Sequence, residues 1–159
     1  MRTMSETTAV SVGQEAPDFA LKDQHGQLVR LSSFRGKKAT LIVFYPWAFS
    51  RVCGGELQQL RDQHDSLFGD EVELLAISCD AMYSLRVYAD EQNFTYSLLS
   101  DFWPHGEVAK AYGVFSDEVG ISLRGTFLVD TDGIVRWSVL NGIPDARDVE
   151  DYRTAIAAL

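Results

Sequence analysis

The sequence predicts an α/β domain in which helices flank a central mixed β-sheet. Continuous apolar runs at residues 39–45 and 72–78 are typical of strands buried on both faces. Between them, residues 52–68 carry apolar side chains at helical spacing, so the three segments form a β-α-β unit. Two β-rich runs within residues 124–140 are joined at DTDG, which predicts a hairpin. We therefore expect parallel strands beside the crossover helices and an antiparallel pair near the end of the chain.

The remaining segments have local signals of their own. The stretch DFALKDQHGQLVRL, residues 18–31, has two short alternating runs around a His25-Gly26 turn and predicts an N-terminal hairpin. Amphipathic patterns and stop signals predict further helices at 83–93, 106–113 and 148–159, and a short strand at 96–100. A β-α-β unit followed by a hairpin and a terminal helix is the element order of a thioredoxin-like domain. This fold by itself does not specify a function.

The composition is that of an ordinary globular domain and excludes several classes of function. Hydrophobic residues make up 46% of the 159 residues and charged residues 23%. The net charge is −9, and no cluster of Lys or Arg could bind a phosphate backbone, so no nucleic-acid partner is expected. The longest apolar run, Leu41 to Tyr45, is far too short to cross a bilayer, so no membrane partner is expected either.

The organisation of the chain is expected to be simple. No linker, repeat or low-complexity segment interrupts it, which predicts a single domain over residues 1–159. Residues 1–11 are polar and are expected to form a flexible leader. Because the N-terminus has no apolar core of a secretory signal, we expect a cytoplasmic location. In that reducing compartment a cysteine with a role is more often chemical than structural.

Cys53 is the strongest candidate for chemistry. It follows the buried strand 39–45 and Pro46, at the carboxyl end of a strand where catalytic groups gather in β-α-β folds. If the helix begins at residues 50–52, Cys53 lies in its first turn, where unpaired N–H groups and the helix dipole favour a thiolate. Ser50 is placed to cap this helix. The residues alone leave a second interpretation open, in which Cys53 is a small buried hydrophobe.

Several motifs resemble one family. The stretch PWAFSRVC is similar to the P-x-x-x-[T/S]-x-x-C motif of the peroxiredoxins, with Pro46, Ser50 and Cys53 at the motif positions. GGEL places Glu56 at the family's acidic position, and LRGTFLVDTDGIVR places Arg124 at that of its active-site arginine. VGQEAPDFALKDQHGQLVRLSSFRGKK and LLSDFWPHGEVAKAYGV resemble further family segments. The likeness runs from about Val12 to the last helix and is strongest to the one-cysteine alkyl hydroperoxide reductase E type.

The resemblance implies a thiol-dependent peroxidase of hydrogen peroxide and organic hydroperoxides. The Cys53 thiolate would attack one peroxide oxygen and become a sulfenic acid. Arg124 would stabilise the thiolate and the charge that develops on the oxygens as their bond breaks. Ser50, where the family more often has Thr, would orient the peroxide, while Pro46 would shield the thiolate from water. Glu56 would hold Arg124 in place.

Cys79 has two possible roles. It ends the strand LLAISC, where the family usually has an apolar residue, and we expect it to be a core residue. The alternative is a resolving cysteine that forms a disulfide with oxidised Cys53, which requires Cα atoms within roughly 7 Å. The positions at which two-cysteine relatives carry a resolving partner hold other residues here, such as Gln58.

The resemblance also implies the partners. Because the sulfur itself carries the electrons, no metal, haem or flavin cofactor is expected. A low-molecular-weight thiol of the mycothiol type and a glutaredoxin-like or mycoredoxin-like reductase would restore Cys53. Aromatic pairs in predicted loops are either ordinary rim residues or the lining of the peroxide entrance and of a homodimer contact: Trp47 with Phe49, and Phe102 with Trp103.

Two other functions remain compatible with a reactive Cys53. A thiol-disulfide exchange protein of the same fold would normally carry a C-x-x-C pair, but Gly54, Gly55 and Glu56 follow Cys53 here. A non-enzymatic redox sensor would form the same sulfenic acid, turn over slowly and bind a protein partner through the aromatic loops. Reaction with peroxide and with a disulfide substrate separates a peroxidase from a thiol-disulfide exchange protein.

Overall fold

The computed structural model describes residues 9–159, which form a mixed seven-stranded sheet with helices on both faces. The strands are β1 (Ala20–Lys22), β2 (Leu28–Arg30), β3 (Ala39–Phe44), β4 (Val72–Ser78), β5 (Ser97–Ser100), β6 (Phe115–Ser116), β7 (Ile121–Ser122), β8 (Arg124–Val129) and β9 (Val135–Asn141). The helices are α1 (Arg51–Asp62), α2 (His64–Phe68), α3 (Met82–Gln92), α4 (Glu107–Ala111) and α5 (Val149–Ala157), and a 3-10 turn spans Leu31–Phe34. In the large sheet the order is β2-β1-β5-β4-β3-β8-β9, while β6 and β7 form a separate small hairpin.

The strand directions agree with the order of the elements. β3 pairs in parallel with β4, and β4 pairs in parallel with β5, because each pair is joined by a crossover through a helix. β8 is antiparallel to both β3 and β9. The predicted hairpins at the two ends of the chain, the mixed sheet and the terminal helix are therefore confirmed.

The sheet is buried on both faces, since all residues of β3 and of β8 are buried. Alternate residues of a strand point to opposite faces, so β3 contributes to two hydrophobic clusters. Leu41 and Val43 pack on the side of α1, α3 and α5, whereas Ile42 and Phe44 pack on the side of α4. The first cluster also contains Cys53. This packing fixes the start of α1 against the sheet.

The structure differs from the prediction in two places. The segment predicted as one helix at 52–68 is two helices, separated at Gln63. The apolar pattern does not distinguish these possibilities, because Leu60 and Leu67 are two turns apart and face the same side in both. The hairpin of β6 and β7 was not predicted, since strands of two residues are too short to show an alternating pattern.

Two further findings concern the N-terminal segment and the length of the helices. Of the expected flexible leader, residues 1–8 lie outside the described residues, while the Val10 N–H donates to the Tyr112 carbonyl at 3.2 Å. Between residues 9 and 159, no helix has both the length and the apolar character that a bilayer span requires.

Candidate active site

Cys53 lies where the sequence places it, in the first turn of α1 at the carboxyl end of β3. Ser50 is the N-cap of α1, and its Oγ accepts a hydrogen bond of 3.3 Å from the Cys53 N–H. The Cys53 side chain has no exposed surface. Its sulfur therefore lies in the first turn of α1, beside the positive end of the helix dipole and away from bulk water.

Several contacts hold the loop between β3 and α1 in place. Pro46 is buried, and the Ala48 N–H donates to Asp80 Oδ2 at 2.9 Å. Phe49 has a left-handed backbone with φ of 69°, which is unfavourable for a bulky residue. Its ring packs on that of Tyr88 with centroids 4.7 Å apart. These contacts fix the direction in which α1 begins.

Arg124 is buried at the start of β8 and faces the same helix. Its side chain is 2% exposed, its Nε donates to the Ile143 carbonyl at 2.6 Å, and its Nη1 donates to Glu56 Oε1. Glu56 lies one turn after Cys53 on the buried face of α1. The structure thus brings together the predicted set of Cys53, Ser50, Pro46, Glu56 and Arg124 at one end of the sheet.

Arg147 is a second buried arginine at this site, and it was not predicted. Its Nε and Nη2 donate to the two oxygens of Glu56, each at 2.9 Å, and its backbone N–H donates to Glu56 Oε2 at 2.6 Å. Its Nη1 also donates to the Phe44 carbonyl at 2.8 Å and to Thr126 Oγ1 at 3.0 Å. Arg147 lies in an irregular loop before α5, where no sequence pattern marks it.

The two guanidinium groups determine the electrostatics of the site. Burial alone would raise the pKa of Glu56, but the hydrogen bonds and charge of Arg147, with the charge of Arg124, hold it below its ordinary value. Burial opposes the charge of Arg147, but its bonds to Glu56 outweigh this and raise its pKa. A charge on Cys53 favours the charged form of Arg147 further. Two cations thus share one carboxylate, and the site retains positive charge that a thiolate can balance.

Two tyrosines complete the surroundings of Cys53. Tyr45 is fully buried and precedes Pro46, while Tyr88 of α3 is 2% exposed. Burial, with a smaller contribution from a charge on Cys53, raises the pKa of Tyr88 to about 12. Burial also raises the pKa of Tyr45, with a smaller effect from Cys53. Both phenols are therefore protonated at neutral pH.

Cys79 has a different environment from Cys53. It is 6% exposed, and its sulfur lies 3.7 Å from Ser122 Oγ. Burial raises the pKa of Cys79 to about 11, so it is a thiol at neutral pH and a poor nucleophile. Both cysteines are free in the structure.

The aromatic pairs singled out in the sequence lie at the surface. Trp47 and Phe49 are 41% and 54% exposed, and Phe102 and Trp103 are 51% and 81% exposed. Phe49 adjoins the candidate site through Tyr88. Within residues 9–159, no three His, Cys, Asp or Glu side chains are grouped so that they could hold a metal ion.

The chain is similar to known proteins over almost its whole length. Residues 12–138 match the model of the AhpC/TSA family. Alkyl hydroperoxide reductase E of Mycobacterium tuberculosis (strain ATCC 25618 / H37Rv) is 47% identical over 150 residues, which cover 94% of this chain and 98% of that protein. The chloroplastic 2-Cys peroxiredoxin BAS1 of Hordeum vulgare is 31% identical over 168 residues, which cover 99% of this chain and 79% of that protein.

Solved structures of similar proteins have the same fold. The reduced 2-Cys peroxiredoxin of Plasmodium vivax superposes with a TM-score of 0.85 at 32% identity, covering 94% of this chain and 81% of that one. The peroxidoxin BcpB of Mycobacterium tuberculosis superposes with a TM-score of 0.83 at 28% identity, covering 94% of this chain and 98% of that one. The chain belongs to the AhpC/TSA family and is a peroxiredoxin, a thiol-dependent peroxidase on a thioredoxin-like fold.

Proposed function

We propose that this peroxiredoxin works by a one-cysteine mechanism in which Cys53 reduces the peroxide and an external thiol restores it. The observation that carries the proposal is the contrast between the two cysteines. Cys53 lies at a helix N-terminus, near the Glu56 carboxylate that two arginines share. Burial, in contrast, raises the pKa of Cys79 to about 11. A protonated thiol is a slow partner for a sulfenic acid, so we assign Cys79 to the core.

The chemistry follows from the groups around Cys53. The thiolate donates its electron pair to the terminal peroxide oxygen, the O–O bond breaks, and the leaving oxygen takes a proton and departs as alcohol or water. Arg124 stabilises the charge that develops on the oxygens, and Arg147 supports it through the shared carboxylate of Glu56. Ser50 orients the peroxide, and Pro46 keeps bulk water from the sulfur.

Recovery requires a reductant that can reach a recessed sulfur. A small thiol displaces water from the sulfenic acid and forms a mixed disulfide, and a second thiolate then releases Cys53. A groove of about 520 Å³ lies beside the first turn of α1 and suits a small polar thiol; its lining includes Ser50, Arg51, Gly54, Gln58, Tyr88 and Gln92. We propose a low-molecular-weight thiol of the mycothiol type, followed by a glutaredoxin-like or mycoredoxin-like reductase in the cytoplasm, and a homodimer as the assembly.

Intact-mass analysis after one equivalent of peroxide tests the mechanism. Without added thiol, the protein should gain one oxygen and react with dimedone at Cys53. Cys53→Ser should abolish peroxidase activity, whereas the matched Cys79→Ser variant should keep most of it. A Cys53–Cys79 disulfide as the main product would make Cys79 the resolving residue and overturn the one-cysteine mechanism.

A further inference from the structure

Among residues 9–159, two buried side chains carry a hydroxyl with no hydrogen-bond partner, and both lie near Cys53. They are Tyr45 and Tyr88. A buried hydroxyl without a partner is unfavourable, and native proteins rarely tolerate it without a reason. Tyr45 has the Ser78 hydroxyl nearby as an alternative neighbour. The Asp80 carboxylate acts on Tyr88 through its charge and forms no hydrogen bond with its hydroxyl, so this unused hydroxyl needs a separate explanation.

Tyr88 is held firmly against the first turn of α1. Its hydroxyl oxygen lies 3.5 Å from the position that a Cβ would take at Gly54, the residue after Cys53. Its ring packs between Phe49, at 4.7 Å, and Phe94, at 5.3 Å in an edge-on contact. The hydroxyl can therefore turn about its own C–O bond, but the ring cannot move away from α1.

On Tyr88, it is the hydroxyl hydrogen that has no hydrogen-bond acceptor. The Phe49 backbone N–H lies near the Tyr88 oxygen and is itself a donor, so it offers that hydrogen no acceptor. What is missing at this position is an acceptor, and the reaction creates one. Peroxide attack adds an oxygen to Cys53, and a sulfenate oxygen is a strong acceptor of hydrogen bonds.

We propose that Tyr88 is a positioning residue whose hydroxyl donates a hydrogen bond to the sulfenate oxygen of oxidised Cys53. The inference rests on the proposed role of Cys53 and adds a group that serves the intermediate. Peroxide attack leaves sulfur bonded to one new oxygen, the former peroxide partner departs with a proton, and Tyr88 keeps its own proton throughout. The hydrogen bond favours the sulfenate anion over the neutral sulfenic acid and holds its oxygen in one direction.

The Tyr88→Phe variant tests this through the second oxidation of Cys53. The sulfenate anion is the form that attacks a second peroxide, so the pH midpoint of sulfinic acid formation reports the pKa of the sulfenic acid. We expect Tyr88→Phe to move this midpoint upward by about one to two pH units, the effect of one hydrogen bond to a charged group. If Tyr88 only supported the fold, its replacement would not move this pH midpoint.

Tyr96→Phe is the matched control, because it removes a hydroxyl that has a partner. Tyr96 belongs to the same hydrophobic cluster, and its hydroxyl donates to the Leu57 carbonyl at 2.8 Å. Tyr96→Phe should lower the melting temperature of the reduced and the oxidised protein equally and leave the pH midpoint in place. Tyr88→Phe should leave the melting temperature of the reduced protein unchanged or raised, and lower that of the sulfenate form.

The outcomes separate this inference from the proposed function. If peroxide leaves Cys53 of the wild-type protein unoxidised, the proposed function is wrong. If Cys53 oxidises but Tyr88→Phe shows the wild-type midpoint and an equal loss of stability in both states, the Tyr88 inference is wrong. Should Tyr88→Phe fail to fold, the infrared difference spectrum of the wild-type protein upon oxidation decides, since a new hydrogen bond shifts a tyrosine C–O band. No shift would overturn the inference.

Discussion

Arg124 and Arg147 bind the same carboxylate, but their other contacts differ. Arg124 has one further bond, to the Ile143 carbonyl, whereas Arg147 also holds the carbonyls of Phe44 and Gly125. Arg147 thus joins α1 to the end of β3 and to β8, and its removal would disturb the fold as well as the site. Arg124 is therefore the better residue at which to measure the contribution of positive charge to catalysis.

Arg124→Ala should slow peroxide reduction by on the order of a hundredfold or more, because it removes a cation that stabilises the charge developing on the oxygens. Stopped-flow measurement of kcat/KM for hydrogen peroxide checks this. Arg136→Ala is the control, since Arg136 is half exposed and pairs only with Asp130 at the surface. A rate for Arg124→Ala within threefold of the wild-type value would place Arg124 outside the site.

Glu56 predicts a defined dependence of stability on pH. Its pKa is lowered in the folded protein from the ordinary value of 4.5, so its contribution to stability is present in full above that value. The contribution is lost as the pH falls below 4.5 and through the lower folded-state pKa. In urea unfolding, the free energy of unfolding of the wild-type protein should therefore fall as the pH drops below 4.5. That of Glu56→Gln should not show this fall. If the free energy of unfolding changes with pH in the same way for both proteins, the pairing of Glu56 with Arg124 and Arg147 is contradicted.

At the scale of the element, α1 has an unusual first turn, in which Gly54 and Gly55 follow Cys53. Neither glycine has a left-handed backbone, and a Cβ at Gly55 would meet no atom within 4 Å. Glycine in a helix is less favourable than alanine by roughly 0.8–1 kcal/mol. Neither the backbone nor the packing at Gly55 therefore requires glycine, and the start of α1 is less stable than it would be with alanine.

Gly55→Ala should raise the free energy of unfolding by about 0.5–1 kcal/mol, because it adds helix propensity without a clash. Equilibrium unfolding in urea measures this. Gly133→Ala is a contrasting variant with the opposite expected sign, since Gly133 has φ of 84° and a Cβ there would lie 2.5 Å from Arg35 Nη2. A destabilised Gly55→Ala would show that the open side of α1 needs the glycine.

The elements also show what the sequence could predict and what it could not. The strand 39–45, the cap at Ser50 and the position of Cys53 follow from local patterns, and the motif marks Arg124 directly. Arg147 gives no such signal, because its role arises only when the loop before α5 folds onto Glu56, 91 residues away in the chain. Tyr88 is equally hidden, since an aromatic residue on the buried face of a helix normally indicates packing alone.

At the scale of the whole molecule, the exposed aromatic residues predict self-association. Trp103 is 81% exposed, and Phe102 beside it is half exposed, which is unusual for a monomer surface. We expect sedimentation to show a homodimer at tens of micromolar protein, and Trp103→Ser to weaken it. Leu140→Ser on the edge strand β9 is the comparison, since Leu140 is 48% exposed on a different surface. A monomer under these conditions would refute the dimer.

Because two arginines share the carboxylate of Glu56, the forms that Cys53 takes during turnover differ in how well the interior stabilises them. Two guanidinium groups and one carboxylate leave one unit of positive charge in the interior. In the proposed mechanism, the thiolate and the sulfenate of Cys53 each supply the missing negative charge, but the mixed disulfide with an external thiol is neutral. A buried charge without a counterion is unfavourable, so the mixed disulfide is the intermediate that the interior stabilises least. If a second thiol attacks this disulfide as proposed, the same imbalance makes Cys53 the better leaving group, so the positive charge that favours attack on peroxide would also help to release the sulfur for the next cycle.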